Sequence, residues 1–401
     1  MHSAYSFIKE GNLNLDEFED KIIENEYYGI EQVNGHYYNY FPPGTTFMTV
    51  PFVFAANVFL SPGIEKIPFI KNYVQVRSRK AVYTYDVIGL YHGVELFTAS
   101  FLMALACVFV FKISKLYLDN IYSLFTTFVF AFCTSVYSVA SRGLWSHGPV
   151  ILILVIVLYM LLKAKEKNSL ISYVSIPLFY SFLVRPSSIV TIIVISIYVF
   201  IYYRKYFSKY FLYGSIVVIL FFVYNLSIYG TVLPSYYGTE RLGIGLTSLQ
   251  AIFANLISPS RGIFIFSPVL ILSIAGVFYK LKHNKDPLDK FLIAIIILHL
   301  LVVSSFSTWW AGLSYGPRFM SDMLPLFIYF FIFGLKWILQ MQASMKKACL
   351  ALLIILTLTS FLIHFKGATS REAWTVWSEF PVPIHEQPMR VWDWRDMQFM
   401  R

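Results

Sequence analysis

The feature that most constrains this chain is the recurrence of apolar runs near twenty residues long, separated by short polar breaks. A helix needs about 20 apolar residues to cross a bilayer core, where each backbone polar group must be satisfied within the segment. Repeated runs of that length point to an all-α integral membrane protein. Composition agrees: 57% of the 401 residues are hydrophobic and 13% charged, against about a quarter charged in soluble domains. The formal net charge of +10 is parcelled into short loops, so membrane topology explains it and nucleic acid is not an expected partner.

About ten transmembrane helices are expected, at 90–112, 119–139, 148–163, 169–184, 187–203, 210–229, 263–281, 289–307, 320–340 and 347–365. Arg185-Pro186 divides the fourth from the fifth, because proline disfavours helix in the residue before it. The alternative there is one long kinked helix. Ten crossings put Lys112, Lys115, Lys163, Lys165, Lys167, Arg204, Lys205, Lys209, Lys280, Lys282, Lys285, Lys346 and Lys347 on one side. Short loops rich in Lys and Arg stay cytoplasmic. Arg77, Arg79 and Lys80 dissent, within a segment too long for that rule to govern.

The organisation expected is therefore an outer loop with interfacial helices at 1–89, a bundle at 90–365 and an outer Trp-rich tail at 366–401. Residues 44–60, interrupted by Pro51, fit a helix lying along the interface, entered through the turn at Pro42-Pro43-Gly44. Seven of the eight Trp fall on the outer side, all but Trp337. Those of the tail suit either stacking on sugar rings or residence in the headgroup layer.

Arg142, Arg185, Arg241, Arg261 and Arg318 each lie in a different outer break. Arginine near lipid is costly unless an anion or a cavity receives it, and its planar fork suits phosphate oxygens. Snorkelling is the plainer explanation for any one of them. The segment at 309–319, WWAGLSYGPRF, gathers two Trp, a Tyr and Arg318 where helix must break. His147 could donate to an anion or shuttle a proton, or be a buried helix-end residue. Glu240 and Arg241 could simply pair. Asp16, Glu17, Glu19 and Asp20 form an acidic cluster, which is either a solvated face or the source of a general base. Cys107, Cys133 and Cys349 sit in apolar runs with no disulfide or metal spacing, and no His, Asp or Glu set has ligand spacing. No phosphate-binding glycine loop is present. Energy for a reaction is then expected to arrive with a membrane-soluble activated donor, with no cofactor.

The segments GHYYNYFPPGTTFMTVPF (35–52), SRGLWSHGP (141–149), LVRPSSI (183–189), YYGTERLG (236–243), SPSRGIFIFSPVL (258–270), WWAGLSYGPRFMSDMLP (309–325) and VWDWRDMQF (391–399) carry a resemblance. Together they resemble the GT-C glycosyltransferases that use polyprenyl-phosphate sugars, among them protein mannosyltransferases and the lipid A aminoarabinose transferase. The resemblance implies a bacterial plasma-membrane enzyme moving a sugar from a polyprenyl phosphate to an acceptor on the outer face. It implies basic residues holding the donor phosphate, carried onto Arg318, Arg261, Arg142, Arg185, His147 and Tyr315. It also implies a catalytic Asp in the first outer loop. Members of that family open with a span before this loop, whereas this chain opens already within it. Either that span and its Asp are expected upstream, leaving this polypeptide inactive, or Asp16 or Glu17 has the catalytic role. A transporter or flippase of lipid-linked anionic sugars, or a non-catalytic membrane protein, are the readings from other classes.

Overall fold

The computed structural model describes residues 1–25, 29–60, 90–238, 242–243, 246–283 and 286–401. The chain begins with α1 (His2–Glu10), a 3-10 turn at Asp16–Phe18 and α2 (Glu19–Asn25). An antiparallel hairpin follows, which the sequence pattern had not suggested. It pairs β1 (Ile30–Val33) with β2 (His36–Asn39) across Asn34-Gly35, both at positive φ, the dipeptide preferred in tight hairpin turns. α3 (Gly44–Ala55) starts after the expected Pro-Pro turn and continues as a π-turn, Ala56–Leu60. Gly44 seats α3 on the bundle: a Cβ there would lie 2.6 Å from the Leu183 carbonyl, and Tyr180 Oη donates to Gly44 O at 2.7 Å.

The bundle comprises α4 (Leu90–Ser114), α5 (Asn120–Phe132), α6 (His147–Ala164), α7 (Ile171–Val184), α8 (Ile189–Tyr202), α9 (Arg204–Tyr229), α10 (Leu246–Ile257), α11 (Ile271–His283), α12 (Pro287–Ser304), α13 (Leu324–Leu339) and α14 (Ala343–Thr369). α15 (Glu372–Glu379) lies in the tail. Their starts have local causes. Asp119 accepts from Tyr122 N at 3.0 Å, and Asp286 accepts from Leu288 N at 3.1 Å just ahead of Pro287. Both are N-caps satisfying donors that a first turn leaves orphaned.

Among the described residues, six helices are long and apolar enough to cross a membrane, as in an all-α membrane protein: His92–Ser114, His147–Ala164, Arg204–Tyr229, Pro287–Ser304, Arg318–Leu339 and Ala343–Thr369. The other expected spans fall on shorter or interrupted helices. α5 is followed by a π-turn at Val136–Ala140, and α11 is preceded by single turns at Ile263–Phe266 and Pro268–Leu270. α7 and α8 have 14 residues each, about 21 Å at 1.5 Å per residue. Arg185 between them is extended at φ −157, ψ 122, as a residue before proline prefers, so two helices form and not one kinked helix.

Side-chain contacts collect the lysine-bearing connections at one end of the bundle. Lys165 pairs with Asp286, Tyr279 Oη donates to Gln340 Oε1 at 3.0 Å, and buried Lys280 meets Asp289 at 3.0 Å. The arginine-bearing turns gather at the other. α6 and the Arg318–Leu339 segment are central, 78% and 83% buried along their most apolar stretch, whereas α9 is 17% and α14 28% buried. The peripheral pair leave apolar residues outward, including Leu220, Val223, Leu358 and Leu362, the surface that lipid would cover.

α11 and α13 approach until their backbones touch. A Cβ on Gly276 would lie 1.8 Å from Phe330 O, and one on Gly334 would lie 2.3 Å from Leu272 O. Small residues that admit such contact hold helices together where lipid offers no hydrophobic drive. Gly276→Ala should therefore cost about 1–3 kcal/mol through overpacking and lower the thermal midpoint in detergent. Gly93→Ala, with nothing within 4 Å of the new methyl, should not; equal midpoints for the two variants would contradict the contact.

Candidate functional site

At the arginine end, four side chains from three separate elements converge. His147 opens α6 and is fully buried. The turn before it is held by α4, where Glu95 Oε1 accepts from Leu144 N at 3.0 Å and Ser100 Oγ donates to Ser141 O at 3.2 Å. Arg185 comes from the break between α7 and α8. Arg318 and Asp322 lie on the 3-10 turn Arg318–Met323 that leads into α13. Four positions scattered over 176 residues of chain thus face one another.

Asp322 is 1% exposed and is the hub. Its Oδ1 lies 2.7 Å from His147 Nδ1, its Oδ2 3.0 Å from Arg185 Nε and 3.9 Å from His299 Nε2. Arg185 Nη1 is 3.0 Å from His147 Nε2, and Arg318 Nε is 3.2 Å from the same nitrogen. Guanidinium groups only donate, so Nε2 accepts from both. Nδ1 then carries the ring proton and donates to Asp322. The imidazole is the neutral Nδ1–H form, held on both sides.

Aromatic rings wall the cluster. The Arg318 guanidinium is 4.1 Å from the Trp145 ring centre, and that of Arg185 is 5.6 Å from Phe319. Arg185 Nε donates to Ser187 Oγ and Nη1 also to Ser146 Oγ. Among the described residues its Nη2 makes no hydrogen bond. A 7% exposed arginine with an unused fork nitrogen is suited to an anion reaching it from the bundle end.

Arg261 is engaged differently. Its Nε donates to Trp310 O at 2.6 Å, Nη1 to Ser260 O and Gln398 Oε1, both at 2.9 Å, and Nη2 to Gly312 O at 3.1 Å. It is 1% exposed; burial and then the nearby Arg318 and Arg390 lower its pKa to about 9, which still leaves it charged at neutral pH. Its guanidinium and that of Arg390 lie 5.1 and 4.8 Å from the Trp377 ring centre. Gln398, fully buried, also accepts from Gly316 N at 2.9 Å and donates to Ser314 O at 2.7 Å. Tyr315 Oη donates to Ile363 O at 2.6 Å. Gly316, at φ 59, has the Phe266 ring where a Cβ would go, at 2.6 Å. The loop bearing Arg318 is therefore clamped from behind by Arg261, Tyr315 and the tail.

The other expected residues lie apart. Arg142 is exposed on the turn before His147. Asp16 accepts from Tyr37 N at 2.9 Å and from His36 Nδ1 at 2.5 Å, and Glu17 accepts from Ser6 Oγ at 2.5 Å. Among the described residues no hydrogen bond or ion pair joins either carboxylate to the arginine cluster. Glu240, Arg241, Arg77, Arg79 and Lys80 fall outside the described residues. Of the tail tryptophans, Trp377 does not face outward: it is fully buried with Trp309, Ile384 and Val391, its indole N–H donating to Asp396 O. Trp394, 54% exposed, remains free to meet headgroups or sugar.

Sequence reasoning missed Asp322, His299, Glu95 and Gln398. Asp322 had a signal, since an acidic residue inside an expected span is a functional candidate by default. No family model matches the chain, and no curated protein matches it in sequence.

Arg261→Met would strand several buried carbonyls, each at about 1–3 kcal/mol. Its thermal midpoint should fall well below that of Arg318→Met, and the tail should become protease-sensitive. Equal midpoints would remove the clamp assignment.

Proposed function

We propose that this protein is a membrane glycosyltransferase of the GT-C type, with about ten spans and interfacial helices in its first loop. In this reading it moves a sugar from a polyprenyl phosphate to an acceptor at the outer face of a bacterial plasma membrane. The observation that carries it is the convergence of Arg185, Arg318 and His147 on buried Asp322, with Arg185 Nη2 unused. The seat for the donor phosphate is Arg185 and Arg318, with Trp145 beside them. Arg261 and Tyr315 support the loop behind it.

In the reaction the acceptor oxygen bonds to the anomeric carbon as the bond from that carbon to the phosphate oxygen breaks. The bonding pair leaves on the phosphate, and the hydroxyl proton passes to a carboxylate base. Of the two candidates, Asp16 is the more firmly oriented, accepting from the Tyr37 amide and from His36, whereas Glu17 is the more exposed. The phosphate gains a second negative charge as it leaves. Guanidinium donors already oriented in a low-dielectric setting stabilise that charge without reorganising.

A transporter would need a polar path between the two ends. The gap between α6, α8, α12 and α13 is instead lined by Leu158, Ile195, Leu292, Ile295 and Leu326, with Thr191 its one polar side chain among the described residues, which favours the enzyme.

Purified protein given a polyprenyl-phosphate sugar should turn it over. Arg185→Ala and Arg318→Ala should each lower kcat by about 10²–10³ while still inserting. Arg142→Ala, on an exposed turn, should stay within about tenfold of wild type. Wild-type rates in both cluster variants would sink the site; donor moved between leaflets without turnover would favour transport.

A further inference from the structure

We propose that His147 is a stand-in for the bound anion, and that seating a phosphomonoester between Arg185 and Arg318 is coupled to uptake of a proton at His147 Nε2. The inference rests on the phosphate-seat reading above and deepens it.

The starting point is the crowding at Nε2. Two guanidinium groups, at 3.0 and 3.2 Å, share the one lone pair of a neutral imidazole. A phosphate, with several charged oxygens matched to the guanidinium fork, is a far better acceptor for both. Once it takes those donors, Nε2 is left as a buried acceptor with no donor, beside an anion. A buried unpaired lone pair is costly. Protonation removes the conflict, because Nε2 becomes a donor to the phosphate.

The opposite side of the ring is already built for that charge. Nδ1 donates to Asp322 Oδ1 at 2.7 Å, so the imidazolium would sit between a carboxylate and the phosphate. The ionisable groups facing His147 are Asp322 and Arg318 from the turn before α13, Arg185 from the break after α7 and, beyond Asp322, His299 on α12. Glu95 on α4 is tied to the Leu144 amide in the same turn. A phosphodiester, with a single negative charge, is the donor's state before transfer; the monoester with its second charge is the state after it. Proton uptake therefore belongs to the product side, where it stabilises the leaving phosphate.

The test is calorimetry on the detergent-solubilised full chain at pH 8, above the second ionisation of a phosphomonoester near 6. Octyl phosphate and dioctyl phosphate are titrated in two buffers of different ionisation enthalpy, whose difference reports protons taken up. Wild type should take up about one proton per octyl phosphate and close to none per dioctyl phosphate. His147→Gln keeps an acceptor oxygen for the arginines but cannot be protonated, so it should bind octyl phosphate without uptake. Binding of octyl phosphate by wild type without proton uptake overturns the proposal, as does uptake that persists in His147→Gln. Failure of wild type to bind either phosphate overturns the phosphate seat itself. Should His147→Gln fail to fold, the wild-type contrast between monoester and diester still decides.

Discussion

The arginine end of this protein depends on one buried carboxylate. Asp322 lies at the mouth of an apolar bundle with 1% of its surface exposed. Moving an ion out of water costs several kcal/mol unless partners and hydrogen bonds replace its hydration. Those partners come from different places: His147 at the start of α6, Arg185 at the break after α7 and, at longer range, His299 on α12. Satisfying Asp322 therefore fixes three elements relative to the turn that enters α13. That same demand brings two guanidinium groups onto one imidazole.

A second network acts on the same loop from behind. Arg261 and Gln398 tie the backbone of 309–316 to the tail, and Trp377 packs between two arginines. Arg261 and Arg318 are the same residue type in neighbouring loops, yet their surroundings separate them. Arg261 meets neutral backbone and amide oxygens that already take up all three of its nitrogens. Arg318 meets an imidazole nitrogen, a tryptophan face and, at 3.5 Å, the Ala311 carbonyl, and a phosphate improves on that nitrogen as an acceptor. Chemical identity made both candidates; the acceptors around each tell them apart.

Much of the fold was legible because it follows from local rules. Apolar runs marked the helices and Arg185-Pro186 marked a break; the caps at Asp119 and Asp286 follow equally local rules but were recognised only in the structure. The β1–β2 hairpin went unread although Asn34-Gly35 is a turn signal, since Ile30-Glu31-Gln32-Val33 and His36-Tyr37-Tyr38-Asn39 on its two sides do not alternate cleanly. Arg185, Arg318 and His147 were recognisable one at a time as costly polar residues near apolar runs. Their meeting was not, nor was the part played by Asp322, because a charge inside an expected span shows that it needs a partner and not which one. The tail tryptophans were read as surface residues for a related reason. A Trp suits an interface and a core equally well, and only packing against Trp309, Ile384 and Val391 settled Trp377.

By itself, then, the amino-acid sequence determined the class of structure, because hydrocarbon-length apolar runs have so few ways to satisfy their backbone. It also determined that several arginines would require acceptors. Which arginines meet His147 and which is enclosed by carbonyl and amide oxygens was decided only by the tertiary structure. Burial cost is a property of each residue, but its compensation is a property of neighbours that the chain brings from far away.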